Sequence, residues 1–154
     1  MVILDILAAS AGRATICMSG KTFVDTNILV YAVDQDEPPR RDASRKAIES
    51  LVADGSGVIS TQVMQEFYVA ATRKLGMPPL AAKTVLNTFA VFEIVQISPE
   101  LIQKAIDCAV LNTLSFWDAL IITAASSAGC ARVYTEDLNA GQTVLGVAIE
   151  NPLG

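Results

Sequence analysis

The stretch Thr22-Phe23-Val24-Asp25-Thr26-Asn27-Ile28-Leu29-Val30-Tyr31 organises the rest of the chain. Phe23 and Val24 are typical of the end of a buried strand, and the three polar residues after them favour a turn or a helix N-cap. The apolar residues that follow continue as a helix face. Because ligands of open α/β sheets bind at the carboxyl ends of strands, we expect Asp25 to point into a cleft. A simpler interpretation is that Asp25 only caps the helix.

The composition is typical of a single domain with a large core. The chain has 154 residues, of which 52% are hydrophobic and 18% charged, and its mean hydropathy is +0.45. Strands that are buried on both faces need no polar alternation, and they explain such a high hydropathy. The longest apolar run, around residues 114–131, is interrupted by Asp118 and by small residues, so it does not predict a membrane span. We therefore expect a soluble protein.

The residue types that the chain lacks restrict its chemistry. It has no histidine, which excludes His-based triads, imidazole acid–base catalysis and most zinc sites. The three cysteines, Cys17, Cys108 and Cys130, form neither a zinc pattern nor a disulfide framework, and a reducing cytosol fits them best. Any catalysis is therefore expected from carboxylates, hydroxyls, amides or a hard metal ion.

The charge of the chain is acidic. A net charge of −5 and an isoelectric point near 4.6 argue against tight, non-specific binding of nucleic acid through a broad basic surface. The basic residues cluster partly, within 40–46 and at 73–74, which is typical of solvated helix faces, with contact to phosphates as the alternative. An acidic metal site acting on a phosphodiester remains compatible with this charge, because the ions supply positive charge locally.

The first 20 residues differ from the rest of the chain. They are apolar, then small and mixed, and they lack the basic leader of a secretory signal. Met18 stands directly before the first strong strand, so we expect translation to begin there, with residues 1–20 as an N-terminal extension and the domain at 21–154. The alternative is a genuine extension that packs on the surface.

Strand and helix patterns alternate along the chain. Strands are predicted at 22–24, 58–60, 91–95, 131–134 and 144–149. Helices are predicted at about 26–34, 40–53, 61–75, 80–89, 98–111 and 115–127. This alternation predicts a three-layer α/β/α domain with right-handed crossovers and a central parallel sheet of about five strands.

Four acidic residues lie near the boundaries of these strands and helices: Asp25, Glu66, Asp118 and Asp137. Two of them follow strands, and two are predicted in the first turns of helices, so all four could converge on the same edge of a parallel sheet. Each also has a simpler interpretation. Besides the helix cap at Asp25, these are a solvated polar stripe at Glu66, a capping pattern at Ser115-x-x-Asp118, and local hydrogen bonding in a turn at Asp137.

A joint placement of these acids has a chemical consequence. Carboxylates about 5 Å apart repel each other by about 3 kcal/mol per pair at an effective dielectric constant near 20. Such a cluster either shares protons or binds cations. Ligation by oxygen alone suits Mg²⁺ or Mn²⁺, which lower the pKa of bound water and neutralise phosphate charge. In a chain without histidine, this is the chemistry that the sequence supports best.

At these residues the sequence resembles the PIN-domain ribonucleases, and among them the toxins of VapBC-type toxin–antitoxin pairs. The resemblance runs from about Lys21 to Pro152. Four segments carry it in order, at family-like spacing: Phe23–Leu29, Ser60–Phe67, Phe116–Ile121 and Tyr134–Leu138.

The resemblance implies a catalytic and metal-binding quartet for Mg²⁺ or Mn²⁺, made of the same four acids: Asp25, Glu66, Asp118 and Asp137. It implies that Asn27 and Thr135 support this quartet by hydrogen bonds to waters or carboxylates. Glu136 is a possible further acid, but the family motif places the functional aspartate at Asp137. The resemblance also implies an RNA substrate, a cognate antitoxin that inserts a segment near the active site, and a homodimer.

Three functions follow as hypotheses. The first is a metal-dependent endoribonuclease that acts as the toxin of a type II toxin–antitoxin pair in the cytoplasm. The second is a catalytically silent PIN-like module that binds RNA or protein, against which the intact quartet argues. The third is a phosphatase with Asp25 as nucleophile. Phosphatases of the haloacid dehalogenase type usually carry a second aspartate two residues on, where this chain has Asn27.

Overall fold

A computed structural model describes residues 3–8 and 20–154 of the chain. The translation start predicted at Met18 lies outside the described residues and stays a prediction. Within the predicted extension, Ile3–Ala8 forms a short helix whose Ile3, Ile6 and Leu7 are buried in the hydrophobic core.

The described residues form seven α-helices and six β-strands. The helices are α1 (Ile3–Ala8), α2 (Thr26–Val33), α3 (Pro38–Asp54), α4 (Thr61–Arg73), α5 (Pro79–Thr88), α6 (Pro99–Asn112) and α7 (Phe116–Ser127). The strands are β1 (Lys21–Val24), β2 (Gly57–Ser60), β3 (Glu93–Val95), β4 (Cys130–Tyr134), β5 (Thr143–Val144) and β6 (Val147–Glu150). A turn of 3₁₀ helix, Phe89–Val91, replaces the predicted first residue of β3 and shortens that strand.

All six strands belong to one sheet, in the order β3-β2-β1-β4-β6-β5. Neighbouring strands are parallel except β5, which pairs antiparallel with β6 at the edge. The predicted three-layer α/β/α class with a parallel central sheet is confirmed. The chain moves from β1 through β2 to β3 on one side and places β4 on the other side of β1. The strand order therefore reverses between β1 and β4, which is where open α/β sheets bind ligands.

The prediction of one last strand over 144–149 is wrong, because the chain turns back within it. Leu145 and Gly146 both have positive φ, 49° and 77°, and they join β5 and β6 as a two-residue hairpin. Positive φ at both central residues is the requirement of the tight hairpin turn whose twist matches the flanking strands. A leucine rarely occupies such a position, so the sequence carries only half of the usual turn signal.

The core between the sheet and its helices explains the high hydropathy of the chain. Every residue of β2 is buried, and in β1 only Lys21 is partly exposed. Phe67 of α4 packs edge to face on Phe89, with ring centroids 5.0 Å apart, and Phe89 packs on Phe92 at 6.1 Å. The expectation of strands buried on both faces is met in β1 and β2, whereas β4 and β6 alternate between buried and more exposed residues and β3 is largely exposed.

None of the described helices is by itself long and apolar enough to cross a membrane. The helices α6 and α7 together reach that length and composition, but they are bent by 115° at the break between them.

Two of the three cysteines lie in the described residues, and both are buried free thiols. Cys108 belongs to α6 and Cys130 opens β4. Burial raises the pKa of the Cys130 thiol to about 12, so this thiol stays protonated and unreactive at neutral pH.

Candidate active site

The turn from β1 into α2 is built on Asp25. The Asp25 backbone N–H donates to the Tyr134 carbonyl at 3.0 Å, which continues the β1–β4 ladder by one step. Its side chain is the N-cap of α2, and Oδ1 accepts from the Thr26 backbone N–H at 2.7 Å. The predicted helix cap is therefore present. It uses one carboxylate oxygen, and the second is directed elsewhere.

That second oxygen connects β1 to the end of β4. Thr135 Oγ1 donates to Asp25 Oδ2 at 2.8 Å, and both residues are buried. The parallel ladder pairs Val24 with Tyr134, so the residues directly after the two strands lie side by side. The Thr135 hydroxyl also accepts from the Asp137 backbone N–H at 3.1 Å, which closes the turn after β4. The two strand ends predicted from the sequence thus meet through one threonine.

Asn27 links the same two turns from the helix side. Its Nδ2 donates to Asp137 Oδ2 at 2.8 Å and lies 3.3 Å from Thr135 Oγ1. The other amide atom, Asn27 Oδ1, is buried and has no hydrogen-bond partner among the described residues. A buried acceptor without a partner is costly and is often explained by an ion or water.

Glu66 reaches this cluster from α4. Because α4 begins at Thr61, Glu66 lies in the second turn of the helix, and its predicted placement in the first turn is wrong. Its Oε2 accepts from Thr26 Oγ1 at 2.7 Å, and its Oε1 accepts from Gln62 Nε2 at 2.9 Å. Gln62 is buried, so the polar stripe proposed for this helix is not simply solvated.

Thr26 and Gln62 are site residues that the sequence analysis missed. Thr26 was visible only as a turn residue, although it stands between Asp25 and Asn27. Gln62 carried a usable signal, because it precedes Glu66 by four residues and side chains at that spacing meet on one helix face. Its Oε1, like Asn27 Oδ1, is buried without a partner in the described part of the chain.

Asp118 belongs to a third helix near these acids, α7. It lies in the first turn of α7, where its backbone N–H donates to Oγ of the cap residue Ser115 at 3.1 Å, as the capping pattern predicted. The preceding residue, Trp117, accepts a hydrogen bond from Gln62 Nε2 at its carbonyl, at 3.4 Å. The first turn of α7 therefore adjoins the helix of Glu66, and no hydrogen bond within the described residues joins the Asp118 carboxylate to the other three acids.

The electrostatics of the cluster centre on Asp25, whose side chain is almost fully enclosed. Burial raises the pKa of Asp25 from its ordinary value of 3.8 to about 6. The hydrogen bonds from Thr135 and Thr26 oppose this increase in pKa, and the charges of Asp137 and Glu66 add to it. The charges of Asp137 and Glu66 therefore disfavour the ionised form of the Asp25 carboxyl.

A groove of about 1140 Å³ opens between α2 and α4, with two of these acids in its lining. Glu66 and Asp137 lie in its wall at one end, and Arg73 and Lys74 lie at the end of α4. Apolar side chains of both helices, Val30 and Val69, also line it. Such a length of open surface suits an extended chain better than a small molecule.

Glu136, considered as a further acid, belongs to a different cluster. Its carboxylate accepts from Tyr31 Oη and lies 3.3 Å from Arg40 Nη1. The Arg40 guanidinium also stands over the Tyr31 ring, 5.1 Å from its centroid. Arg40, which belongs to the basic residues within 40–46, thus forms an ion pair with Glu136 of the groove wall.

The donors at this site fit the chemistry of a divalent cation. They are carboxylates and two unpartnered amide oxygens, the ligand types that Mg²⁺ and Mn²⁺ prefer. As the side chains stand, the described residues contain no group of three acidic, histidine or cysteine side chains close enough to hold a metal ion. Binding by three or four of these acids together would require their carboxylates to move closer together.

Comparisons with known proteins identify the family and the fold of the chain. Residues 22–143 match the family model of the PIN domain. A toxin–antitoxin complex from Klebsiella pneumoniae has 22% identity and a TM-score of 0.64, over 86% of this chain and 98% of that one. VapBC2 from Rickettsia felis, bound to a promoter DNA fragment, has 19% identity and a TM-score of 0.62, over 84% and 97%.

A third similar structure is VapC20 of Mycobacterium tuberculosis, described as a toxin that cleaves the sarcin-ricin loop. It has 20% identity and a TM-score of 0.60, over 76% of this chain and 90% of that one. At these identities the similarity shows the fold. None of the curated proteins compared with the chain matches it significantly. The family match is more specific, since it covers most of the chain and includes all four acids. The chain therefore belongs to the PIN domain family.

Proposed function

We propose that this protein is a Mg²⁺- or Mn²⁺-dependent endoribonuclease and the toxin of a type II toxin–antitoxin pair. The observation that carries the proposal is the hydrogen-bonded placement of Asp25, Glu66 and Asp137 at the carboxyl ends of β1 and β4, under an open groove. The similarity to structures described as toxins and toxin–antitoxin complexes supports the biological role.

In this proposal the four acids, Asp25, Glu66, Asp118 and Asp137, hold the cation. When bound, the ion supplies a water of lowered pKa and neutralises charge on the scissile phosphate. Thr135 and Thr26 keep their acids in place, because each donates to a carboxylate oxygen that would otherwise rotate away from its neighbours. Asn27 does the same for Asp137. These hydrogen bonds limit how far the carboxylates would have to move when the cation binds.

The partners belong to the same proposal. An antitoxin peptide that enters the groove would compete with RNA for the acidic end, and a homodimer and a cytoplasmic location complete the expected biology. The complexes from Klebsiella pneumoniae and Rickettsia felis support the antitoxin by analogy.

The test is cleavage of a mixed RNA pool by purified protein with Mn²⁺, with Mg²⁺ and with EDTA. We expect discrete fragments only with metal, and a loss of at least about 100-fold in rate for Asp25→Asn, because a ligand and its charge are removed. The matched control is Asp42→Asn, which makes the same chemical change at an exposed carboxylate on α3. Equal cleavage by wild type and Asp25→Asn would contradict the proposal.

One observation favours the alternative of a catalytically silent binding module: no three acids of the described residues are close enough to hold a metal ion as they stand. This alternative predicts that Mn²⁺ does not bind in calorimetric titration. The nuclease proposal predicts that Mn²⁺ binds wild type and Asp42→Asn alike, and Asp25→Asn far more weakly.

A further inference from the structure

The residue beside Asp118 has no role in the function proposed above. Trp117 is the single tryptophan of the chain, and 62% of it is exposed although it lies in the wall of the acidic groove. An indole is large and apolar, and leaving it in water gives up burial that would stabilise the fold. Trp117 therefore does little for the core.

Its neighbours nevertheless hold it in place. The Phe116 ring packs on the indole edge to face, with centroids 5.1 Å apart and an interplanar angle of 66°. The Trp117 backbone lies in the first turn of α7, and its carbonyl accepts from Gln62, which also donates to Glu66. The indole is thus an exposed but oriented aromatic surface, one hydrogen-bonded residue away from a proposed metal ligand.

The charge of the groove favours contacts to a nucleic acid that do not depend on its phosphates. Among the described residues that line it, two are basic, Arg73 and Lys74. Six are acidic: Asp34, Asp36, Glu37, Glu66, Glu136 and Asp137. Phosphate neutralisation, the usual source of affinity for RNA, is therefore weak here. Stacking of bases on an aromatic ring is independent of phosphate charge and operates on unpaired strands.

We infer that Trp117 is a stacking platform for an unpaired base next to the phosphodiester that the acids engage. The inference rests on the proposed function for its substrate class, and it adds a residue that positions the substrate. It also restricts the substrate to RNA that is single-stranded at the cut, because a paired base has no free face to stack on the indole.

Because Trp117 is the only tryptophan, its fluorescence reports the contact directly. The probes are a short oligoadenylate and an abasic ribose-phosphate oligomer of the same length and charge, both in Ca²⁺ and checked by gel to be intact. We expect the oligoadenylate to quench the fluorescence in a saturable way that changes little with salt. The abasic oligomer is expected to leave it unchanged. Equal quenching by both oligomers, or none by either, would overturn the inference.

Variants test the same contact through the anisotropy of a labelled oligoadenylate. We expect Trp117→Ala to weaken binding about 5- to 100-fold, the range of one base–aromatic stack, and Trp117→Phe to keep most of it. The control is Tyr68→Ala, since Tyr68 is an exposed aromatic on α4 that does not line the groove. Binding by Trp117→Ala that equals that of wild type would overturn the inference, and circular dichroism checks that each variant is folded.

The failure of this inference and the failure of the proposed function give different results. If the protein cuts RNA and Trp117→Ala binds and cuts as wild type does, the nuclease stands and the stacking role falls. If the protein does not cut RNA but the oligoadenylate quenches Trp117 and the abasic oligomer does not, the stacking inference is retained and the nuclease proposal is rejected.

Discussion

Two consecutive residues of α4, Glu66 and Phe67, belong to opposite regions of the molecule. Phe67 is fully buried and packs on Phe89 in an aromatic cluster that also contains Phe92, next to Gly57 of β2. Glu66 is half-buried and accepts hydrogen bonds from two side chains at the polar edge of the sheet, where β1 and β4 end. One face of α4 therefore stabilises the fold, and the neighbouring face contributes to the candidate site.

The two regions differ in what they contribute to the free energy of folding. In the aromatic cluster, apolar surface leaves water without the burial of a charge or of an unpartnered polar group. At the polar edge, Asp25 is buried beside two other carboxylates, and two amide oxygens have no partner in the described residues. The polar edge therefore reduces stability, which is expected of a site shaped for a ligand that is bound later.

The largest test of this comparison replaces the two neighbouring residues separately. We expect Phe67→Ala to lower the free energy of unfolding by about 3–5 kcal/mol, because it leaves a cavity in the aromatic cluster. For a chain of this size that corresponds to a melting temperature roughly 10 °C lower. We expect Glu66→Gln to leave the melting temperature almost unchanged, since the glutamine oxygen can accept from Gln62 and its amide nitrogen can donate to the Thr26 hydroxyl. Thermal unfolding followed by circular dichroism in EDTA measures both variants.

Cleavage is expected to show the reverse order. Glu66→Gln should lose at least about 100-fold in rate at a temperature where it is folded, since a ligand charge is removed. Phe67→Ala should keep its rate below its own melting temperature. A Glu66→Gln protein that is as unstable as Phe67→Ala would show that the two faces of α4 are not separate in function.

The sequence predicts the regular parts of both regions well and their cross-connections poorly. Strands, helices and the caps at Asp25, Ser60 and Ser115 depend on local residue types, and the structure has them within a few residues. The edge hairpin was missed because its turn begins with Leu145, which shows no local preference for positive φ.

In the site, acids that follow strands were recognised because parallel strands bring their carboxyl ends together. The contacts of Thr26 and Gln62 with Glu66 were not predicted, since they depend on how α2 packs against α4. The position of Asp118 relative to the other acids depends in the same way on the packing of α7. Side-chain contacts between elements that are distant in sequence are therefore the part that required a structure.

A smaller test concerns the charge of Asp25. Its pKa is raised from 3.8 to about 6, so the folded protein holds this proton more tightly than the unfolded chain. The stability that this provides is complete below pH 3.8 and is lost as the pH rises through about 6. We expect Asp25→Asn, in EDTA at pH 7.5, to be more stable than wild type by at most about 3 kcal/mol, and the difference to disappear near pH 4.

Denaturant unfolding of the two proteins across this pH range measures the difference. Addition of Mg²⁺ or Mn²⁺ should reduce it at pH 7.5, because a cation that binds the folded wild type raises its stability and has less effect on the variant. A stability difference that does not change with pH would show that ionisation of Asp25 does not destabilise the folded protein. The polar edge would then owe its lower stability to the unpartnered amides alone.

The smallest expected effect concerns the aromatic cluster, at Gly57 where β2 begins. A Cβ atom there would lie 2.5 Å from Cδ1 and 2.7 Å from Cε1 of Phe92, whose ring is held by Phe89. We expect Gly57→Ala to lower the free energy of unfolding by about 1–3 kcal/mol, as overpacking does in a tight core. Phe92→Leu in the same chain should restore part of this loss, since a smaller side chain makes room for the methyl group. A double-mutant cycle by denaturant unfolding isolates the interaction, and purely additive effects would show that the strain arises elsewhere. Cleavage by all three variants should match wild type while they are folded, because the aromatic cluster contributes to the site only by holding α4 in place.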